Sequence, residues 1–328
     1  MTVIFEHSLS TLTNLETLGG ELEIVTWQEY PALRLEKGLA LFPAHNIDEA
    51  RIQVWILTEK PAYPGVAFRI FDRLNFELAY AVPHVSGQWD ALQYDPVFHG
   101  SNTWQVYYGS SYQRPAQVPT GRWFLLQVDF SGQRAAISVD GQSPLVVERL
   151  AHPVRKGLCG LWAYHPAYFR SLSVTTCPEG AITSGSKPRS PDETVQAWFL
   201  EDFGVVTCEP NGVLNLNRYL PHSWGEVCLV RYFDKLEPGP VMFDLGFSDM
   251  VRLELDDQLI FEGTNTFKDF SNRAARGYAE LGAFSRQHVV SAGHHCLTAR
   301  LRMSEPYGWG LILAVLGDHI HWQPAALS

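Results

Sequence analysis

WFLLQVDFSGQRAAISVDG, residues 123–141, is the stretch of this sequence that decides the fold. Apolar side chains occupy every second position in both halves of it: Phe124, Leu126, Val128 and Phe130, then Ala135, Ile137 and Val139. Successive side chains of a strand point to opposite faces, so this alternation predicts two strands that share one buried face. The closing Asp140-Gly141 is a strong hairpin-turn signal.

Short runs of the same kind lie on both sides of this stretch. In the first half of the chain we predict strands at 52–57, 65–71, 75–82, 104–109, 122–130, 134–140 and 169–174. In the second half we predict strands at 227–232, 241–246, 250–255, 258–262, 293–303 and 310–316, with one short helix within 272–282. Many short strands without a long amphipathic helix predict an all-β protein built from β-sandwich domains.

The composition agrees with a turn-rich β protein of two domains. The chain has 328 residues, with 26 glycines, 20 prolines and 10 tryptophans, and about 150 residues per domain is usual. The formal net charge of −10 argues against a nucleic-acid partner. No run of about 18 apolar residues occurs, so we expect no membrane span.

The N-terminus and the cysteines suggest where the protein works. Residues 1–18 lack the basic and apolar regions of a secretion signal, so we expect a cytoplasmic protein. The 5 cysteines are odd in number and lack metal-type spacing. Free thiols in a reducing compartment explain them most simply, and a Cys159–Cys177 bridge is the alternative.

A segment rich in serine, glycine and proline separates the two halves. Residues 178–194 carry almost no apolar side chain, and that composition is typical of a linker. We therefore place one β-sandwich domain at 1–177 and a second at 195–328.

Three runs in the first half carry a family resemblance: the stretch 123–141, Gly157-Leu-Cys-Gly-Leu-Trp162 and Tyr168-Phe-Arg-Ser-Leu-Ser-Val174. Together they resemble the laminin-G-like, concanavalin A-like sandwiches. Pro64-Gly-Val-Ala-Phe-Arg69, followed by Phe76-Glu-Leu78, is similar to the sugar-processing branch that includes 3-keto-disaccharide hydrolase-like domains. The resemblance covers roughly residues 20–175 and implies a sandwich fold with a carbohydrate-related role.

The second half carries its own set of runs: Phe247-Ser-Asp-Met-Val-Arg-Leu-Glu-Leu-Asp-Asp-Gln-Leu-Ile-Phe-Glu-Gly263, Ala292-Gly-His-His-Cys-Leu297 and Gly308-Trp-Gly310. They resemble galactose-binding-like jelly rolls, a family whose members often bind sugars and hold a structural calcium. No calcium loop is identifiable among these residues, so the resemblance leaves the calcium open. No dinucleotide or phosphate-loop fingerprint occurs, and we expect no organic cofactor and no metal at the predicted site.

The most specific site prediction concerns the second and third strands. With a three-residue loop, Asp72–Leu74, antiparallel pairing places Phe68 opposite Leu78 and Arg69 opposite Glu77. Arg69 and Glu77 then share a polar face floored by alanines, which leaves room for a polyol held by bidentate hydrogen bonds. The alternative is a solvated ion pair worth about 0–1 kcal/mol.

A long segment, His84–Trp104, follows this hairpin and is dense in aromatic and polar side chains. Long loops without regular structure are often functional. The aromatic side chains that we predict to bind a ligand are Trp89, Tyr94, Trp104 and Tyr107. The alternative is a loop packed by its own aromatic rings.

The same region offers acid and base candidates for an enzyme. His84 or His99 would act as a general base near neutral pH, oriented by Asp90 or Asp95. Glu77 would serve as a further acid or base. We therefore keep three functions open: carbohydrate or glycoside recognition in a concave face of the first domain, a hydrolase or lyase acting on a glycoside, and a non-catalytic interaction scaffold.

Overall fold

Strands form nearly all of the regular structure. The computed structural model describes residues 1–153, 156–221 and 225–325, with the backbone alone for residues 43–45. Within these ranges the helices are short 3₁₀ turns, at Pro83–Val85, Leu216–Arg218 and Arg273–Ala275. No helix there is long and apolar enough to cross a membrane. The predicted all-β fold class is confirmed.

The chain divides into two compact units. Unit 1 consists of Met1–Val97 and Tyr107–Lys187, and unit 2 consists of Phe98–Val106 and Pro188–Ser328. A short piece from the middle of the first half of the sequence is therefore counted with the second unit.

Unit 1 contains the strands up to Thr175. They are β1 (Val3–His7), β2 (Glu16–Leu18), β3 (Glu21–Trp27), β4 (Tyr30–Glu36), β5 (Gly38–Ile47), β6 (Ala50–Leu57), β7 (Pro64–Asp72), β8 (Asn75–Ala81), β9 (Leu92–Tyr94), β10 (Gln113–Arg114), β11 (Phe124–Ser131), β12 (Arg134–Val139), β13 (Leu145–Val147), β14 (Gly157–Ala163) and β15 (Ala167–Thr175).

Two antiparallel sheets make up unit 1. Sheet 1 has the order β13-β12-β11-β6-β15-β4-β3, with β1 paired to β15, and sheet 2 has the order β10-β9-β8-β7-β14-β5-β2. Aromatic contacts join the sheets, since the Phe68 ring of sheet 2 lies 4.8 Å from the Phe130 ring of sheet 1. Unit 1 is therefore a β-sandwich.

The stretch 123–141 folds as its alternation predicts. Strands β11 and β12 pair from Leu126 opposite Val139 to Ser131 opposite Arg134. Every side chain of the predicted apolar face is fully buried: Phe124, Leu126, Val128, Phe130, Ala135, Ile137 and Val139.

The predicted register of the β7–β8 hairpin is wrong by one residue. Ala67, not Phe68, pairs with Leu78, and Phe68 pairs with Glu77. Asp72 pairs with Asn75, and its carboxylate accepts hydrogen bonds from the Leu74 N–H at 2.7 Å and the Asn75 amide. This turn chemistry gives a two-residue loop, and a bulge between Phe68 and Asp72 absorbs the extra residues.

Unit 2 contains the remaining strands. They are β16 (Ala197–Leu200), β17 (Gly204–Thr207), β18 (Leu214–Asn215), β19 (Glu226–Lys235), β20 (Gly239–Phe247), β21 (Asp249–Leu255), β22 (Gln258–Asn265), β23 (Phe284–Val290), β24 (Gly293–Arg302), β25 (Gly310–Leu316) and β26 (Ile320–Trp322).

These strands form a second sandwich. Sheet 3 has the order β17-β16-β19-β24-β21-β22, with β26 paired to β19, and sheet 4 has the order β18-β25-β20-β23. Leu229 and Leu253 of sheet 3 belong to one buried apolar cluster with Phe243 and Leu313 of sheet 4. Burial of the facing sides of two sheets is what holds such a fold together.

Three smaller predictions, of a strand, a helix and free cysteines, have different outcomes. Trp104–Gly109, predicted as a strand, is a series of turns and bends. The helix predicted within 272–282 is reduced to the 3₁₀ turn Arg273–Ala275, which Asn272 caps by accepting the Ala274 N–H. The cysteines are free, as expected, and Cys159 and Cys177 are not bridged.

Candidate functional site

Arg69 lies at the bulge of β7 and is buried. Its backbone has a φ of 49°, and its side chain is 1% exposed. One guanidinium nitrogen donates to the carbonyl oxygens of Asp48, at 3.1 Å, and of Gly132. The guanidinium also lies 5.6 Å from the centre of the Phe130 ring. Arg69 therefore ties backbone segments of unit 1 together and is not open to a ligand.

The close approach of β14 explains why this bulge is tolerated. A side chain at Gly157 would place its Cβ 2.5 Å from the backbone carbonyl carbon of Arg69, which no other residue could accept without a shift. Burial lowers the pKa of Arg69, and the nearby Glu77 charge opposes that effect.

Glu77 is fully buried and has its own partners. Its side chain is 0% exposed, and its carboxylate accepts hydrogen bonds from the Tyr94 hydroxyl at 2.5 Å and from the His152 N–H at 2.9 Å. Burial, followed by the Glu77 charge, raises the pKa of Tyr94 well above its usual value. The Tyr94 hydroxyl in turn accepts the Ala151 N–H at 2.7 Å. Glu77 and Tyr94 thus anchor the chain around residue 151.

The predicted polar face floored by alanines is not formed. Ala67 belongs with Leu78 and Tyr80 to a buried apolar cluster, while Glu77 sits opposite Phe68 and not opposite Arg69. The prediction failed because the three-residue loop on which it rested is not formed: Asp72 pairs with Asn75, and β7 carries a bulge. Hydrogen bonds from Tyr94 and His152 satisfy the Glu77 carboxylate.

Two further predicted binding residues are also buried. The Tyr94 and Tyr107 rings lie 6.1 Å apart, and Tyr107 is 5.0 Å from Tyr112 in an edge-on contact. Trp89 is half-buried and Asp90 is buried, both between the 3₁₀ turn Pro83–Val85 and β9. The buried rings of Tyr94 and Tyr107 thus pack against each other and against Tyr112.

His99 and Trp104 belong to unit 2. The His99 ring is 2.8 Å from the Asn217 carbonyl oxygen. Trp104 packs against Phe267, Tyr278 and Tyr307, with ring centres 5.5 to 6.0 Å apart. Both residues were predicted to lie in the first domain, whereas the division into compact units counts them with unit 2.

His84 lies in an aromatic group near the ends of three central strands of sheet 2, β8, β7 and β14, which we call the aromatic surface. Its members are Tyr63, His84, Trp162, Tyr164 and His165. Tyr63 directly precedes β7, His84 lies in the 3₁₀ turn after β8, Trp162 is in β14, and Tyr164 and His165 lie in the β14–β15 turn. These chain positions meet because the three strands are antiparallel neighbours, with Gly65 paired to Tyr80 and to Trp162.

Tyr63 is the centre of the aromatic surface. The His84 ring meets it edge-on at 5.1 Å, with 88° between the ring planes. Tyr164 is 6.3 Å away and His165 is 5.9 Å away. Tyr80 links Tyr63 to Trp162, at 6.2 and 5.7 Å.

This surface combines flat apolar rings with polar groups. Tyr164 is 49% exposed, and Tyr63, His84, Trp162 and His165 are half-buried. Tyrosine, tryptophan and histidine present an apolar body with a polar tip, which suits ligands that alternate C–H and hydroxyl groups.

The sequence analysis missed most of these residues. The sequence feature that could have indicated them is the turn Tyr164-His-Pro166, which follows the run Gly157–Trp162. In the described parts of the chain, no three or more His, Cys, Asp or Glu side chains are grouped to hold a metal ion.

Comparisons with known proteins found similar solved structures but no matching family. No protein-family model matches the sequence, and no curated protein matches it significantly. The carbohydrate-binding module CBM66 from Bacillus subtilis is 16% identical and aligns with 50% of this chain and 96% of its own, at a TM-score of 0.40. A Bacillus subtilis protein of unknown function with a galectin-like fold is 11% identical, over 54% of this chain and 96% of its own, at 0.41. The Bacillus licheniformis β-glucanase is 11% identical, over 52% and 97%, at 0.37.

Proposed function

We propose that this protein recognises carbohydrate and that a neutral saccharide binds at the aromatic surface of unit 1. The observation that carries the proposal is the grouping of Tyr63, Trp162 and Tyr164 with two histidines near the ends of neighbouring strands, with Tyr164 49% exposed. Aromatic faces pack against the C–H groups of a pyranose, and the phenol tips and the His165 imidazole exchange hydrogen bonds with its hydroxyls.

The proposed ligand site is the aromatic surface and not the face that carries Arg69 and Glu77. Arg69 and Glu77 are 1% and 0% exposed, so a ligand at those residues would have to displace the hydrogen bonds that hold them. The aromatic surface needs no such displacement. We also propose a concanavalin A-like class for unit 1 and a galactose-binding-like class for unit 2, supported by their two-sheet architecture and by the sequence runs that resemble those families.

The enzyme hypothesis has less support than recognition. Two of its acid and base candidates already have protein partners: the Glu77 carboxylate accepts hydrogen bonds from Tyr94 and His152, and the His84 ring packs edge-on against Tyr63. General acid–base catalysis needs such groups within hydrogen-bond reach of one reacting centre.

The test uses ligand-detected NMR to measure the binding of neutral xylo-, cello-, malto- and galacto-oligosaccharides. We expect saturation transfer from the protein to pyranose C–H protons for at least one of them. Tyr164→Ala should weaken that binding by at least about tenfold, equivalent to about 1.4 kcal/mol, because it removes the most exposed ring. The oligosaccharide should be recovered unchanged.

Tyr30→Ala is the matched control. Tyr30 is also in unit 1, is 58% exposed and lies outside the aromatic surface, so its removal should leave binding as it is. Equal affinity of Tyr164→Ala and the wild type, or no binding of any sugar in the panel, would remove the proposal. Near-identical circular dichroism spectra establish that both variants are folded.

A further inference from the structure

A second concavity of unit 1 lies where the two sheets end beside each other. Strand β10 is the edge of sheet 2, and β13 is the edge of sheet 1. A pocket of about 380 Å³ opens between these edges and the chain at 183–186. Small-molecule sites usually range from about 300 to 1,000 Å³, so this one suits a ligand of monosaccharide size.

The lining of this pocket is unusually rich in hydroxyl groups. Ser110, Ser143, Thr183, Ser184 and Ser186 contribute hydroxyls, and Pro144, Leu145 and Val146 form the apolar part. Each hydroxyl can donate one hydrogen bond and accept others, which matches a ligand that carries hydroxyls of its own.

Arg114 is the one charged side chain among the lining residues. It is half-buried in β10 and makes no side-chain hydrogen bond or ion pair with the part of the chain that the structure describes. A guanidinium that is free of protein carboxylates favours an anionic ligand locally, although the chain as a whole carries a net charge of −10. Its fork of N–H donors fits a carboxylate or a phosphate in two parallel hydrogen bonds.

Glu148, which holds the chain at 183–186, does not cancel the Arg114 charge. Glu148 accepts the Gly185 N–H at 2.5 Å and a hydrogen bond from Arg134 at 2.9 Å. The Gly185 hydrogen bond, with Arg134, lowers the pKa of Glu148. Arg134 donates further to the carbonyl oxygens of Thr183 and Ile182. Glu148 is thus neutralised by its own partners.

The same contacts hold the chain at 183–186, which forms one wall of the pocket, against β13. The added Cβ of an alanine at Gly185 would lie 2.6 Å from the Val146 carbonyl oxygen, so the chain at 183–186 runs directly against β13. The wall is held by backbone and charged hydrogen bonds before any ligand arrives. A pre-formed wall of this kind reduces the ordering entropy that binding requires.

We propose that this pocket binds a hydroxylated anion of monosaccharide size, with Arg114 on its carboxylate or phosphate and the surrounding serines and threonine on its hydroxyls. The proposal concerns a different site from the aromatic surface and does not depend on it.

Calorimetric titration of the full chain tests the proposal with four probes: glucuronate, glucose 6-phosphate, glucose and inorganic phosphate. We expect glucuronate or glucose 6-phosphate to bind at least tenfold more tightly than glucose and than inorganic phosphate. The two anionic sugars separate a carboxylate ligand from a phosphate ligand. Arg114→Gln should weaken the preferred probe by at least tenfold, and Ser143→Tyr, which fills the pocket from an exposed position, should do the same.

Arg122→Gln is the matched control, since Arg122 is an exposed arginine of unit 1 outside the pocket. It should bind the probe as the wild type does, and so should Tyr164→Ala, which alters only the aromatic surface. The proposal is overturned if neither anionic sugar binds, if glucose or inorganic phosphate binds as tightly as they do, or if Arg114→Gln has wild-type affinity.

Discussion

At the scale of single residues, the buried carboxylates differ in how well they are satisfied. Both Glu77 oxygens have donors, from Tyr94 and His152. Asp249, also 0% exposed, accepts all of its hydrogen bonds on one oxygen, from Ser304 N at 2.9 Å, Ser304 Oγ at 2.7 Å and Glu305 N at 2.8 Å. Its second oxygen has no partner in the described chain, so its charged form is poorly stabilised.

Asp249 should therefore make unit 2 less stable as the pH rises. Burial raises the pKa of Asp249 to about 6, against 3.8 for the ordinary side chain, although the Ser304 and Glu305 hydrogen bonds oppose that shift. Between these two values the folded state keeps a proton that the unfolded state releases, so stability falls as the pH increases through that window. The shift amounts to about 3 kcal/mol.

Asp249→Asn measures this effect directly. Asparagine keeps the accepting oxygen, tolerates the φ of 71° at this position and cannot ionise. Denaturant unfolding should show the Asp249→Asn variant gaining up to about 3 kcal/mol over the wild type between pH 4 and pH 7. Asp257→Asn, at an exposed turn with a φ of 63°, is the control. A difference that does not change with pH would contradict the expectation.

At the scale of elements, the piece Phe98–Val106 shows how a loop is used. Its backbone is held inside unit 2: Gln105 N donates to the Tyr307 carbonyl at 3.0 Å, and Gln105 O accepts the Ala279 N–H at 3.0 Å. Trp104 is half-buried and packs against Phe267, Tyr278 and Tyr307. The aromatic side chain that the sequence suggested as a sugar platform packs here against three other rings.

Trp104→Ala should therefore lower the stability of unit 2. Loss of a packed tryptophan leaves a cavity, and we expect about 2–4 kcal/mol of destabilisation in denaturant unfolding. Phe203→Ala, at a 51% exposed position of unit 2, should change stability by less than about 1 kcal/mol. The structural role is refuted if Trp104→Ala unfolds like the wild type but loses saccharide binding.

At the scale of the whole molecule, neither unit is a continuous stretch of chain. Unit 2 starts again at Pro188 but also needs Phe98–Val106. Val106 is 0% exposed, and its carbonyl oxygen accepts a hydrogen bond from Asn211 at 2.9 Å. A fragment cut at the apparent domain boundary would lack these contacts.

The fragment 188–328 should consequently unfold at a lower denaturant concentration than the fragment that carries residues 98–106 joined ahead of Pro188 by a flexible glycine-serine linker. The added piece restores the Gln105 and Val106 hydrogen bonds and their buried surface. The control carries the same nine residue types in scrambled order. Equal midpoints for all three fragments would show that unit 2 folds without the piece.

Local pattern was sufficient for most of the predicted strands, with Trp104–Gly109 as the exception, and for the buried face of the β11–β12 hairpin, but it missed strands such as β3, β4 and β5. It was also sufficient for the all-β class. It was insufficient for the site, because Arg69 and Glu77 were placed by a register that one bulge shifts. The aromatic surface joins residues 63, 84 and 164, and the polar pocket joins residues 114, 143 and 184. No sequence window contains either group.

The sequence by itself therefore determined the all-β class and the apolar side of strongly alternating strands such as β11 and β12, since alternation acts between near neighbours. Only the tertiary structure decided which strand ends meet, which carboxylates are buried with partners, and which unit receives Phe98–Val106. Those outcomes depend on hydrogen bonds and packing between residues far apart in the chain, where a shift of one residue reverses the face of every side chain.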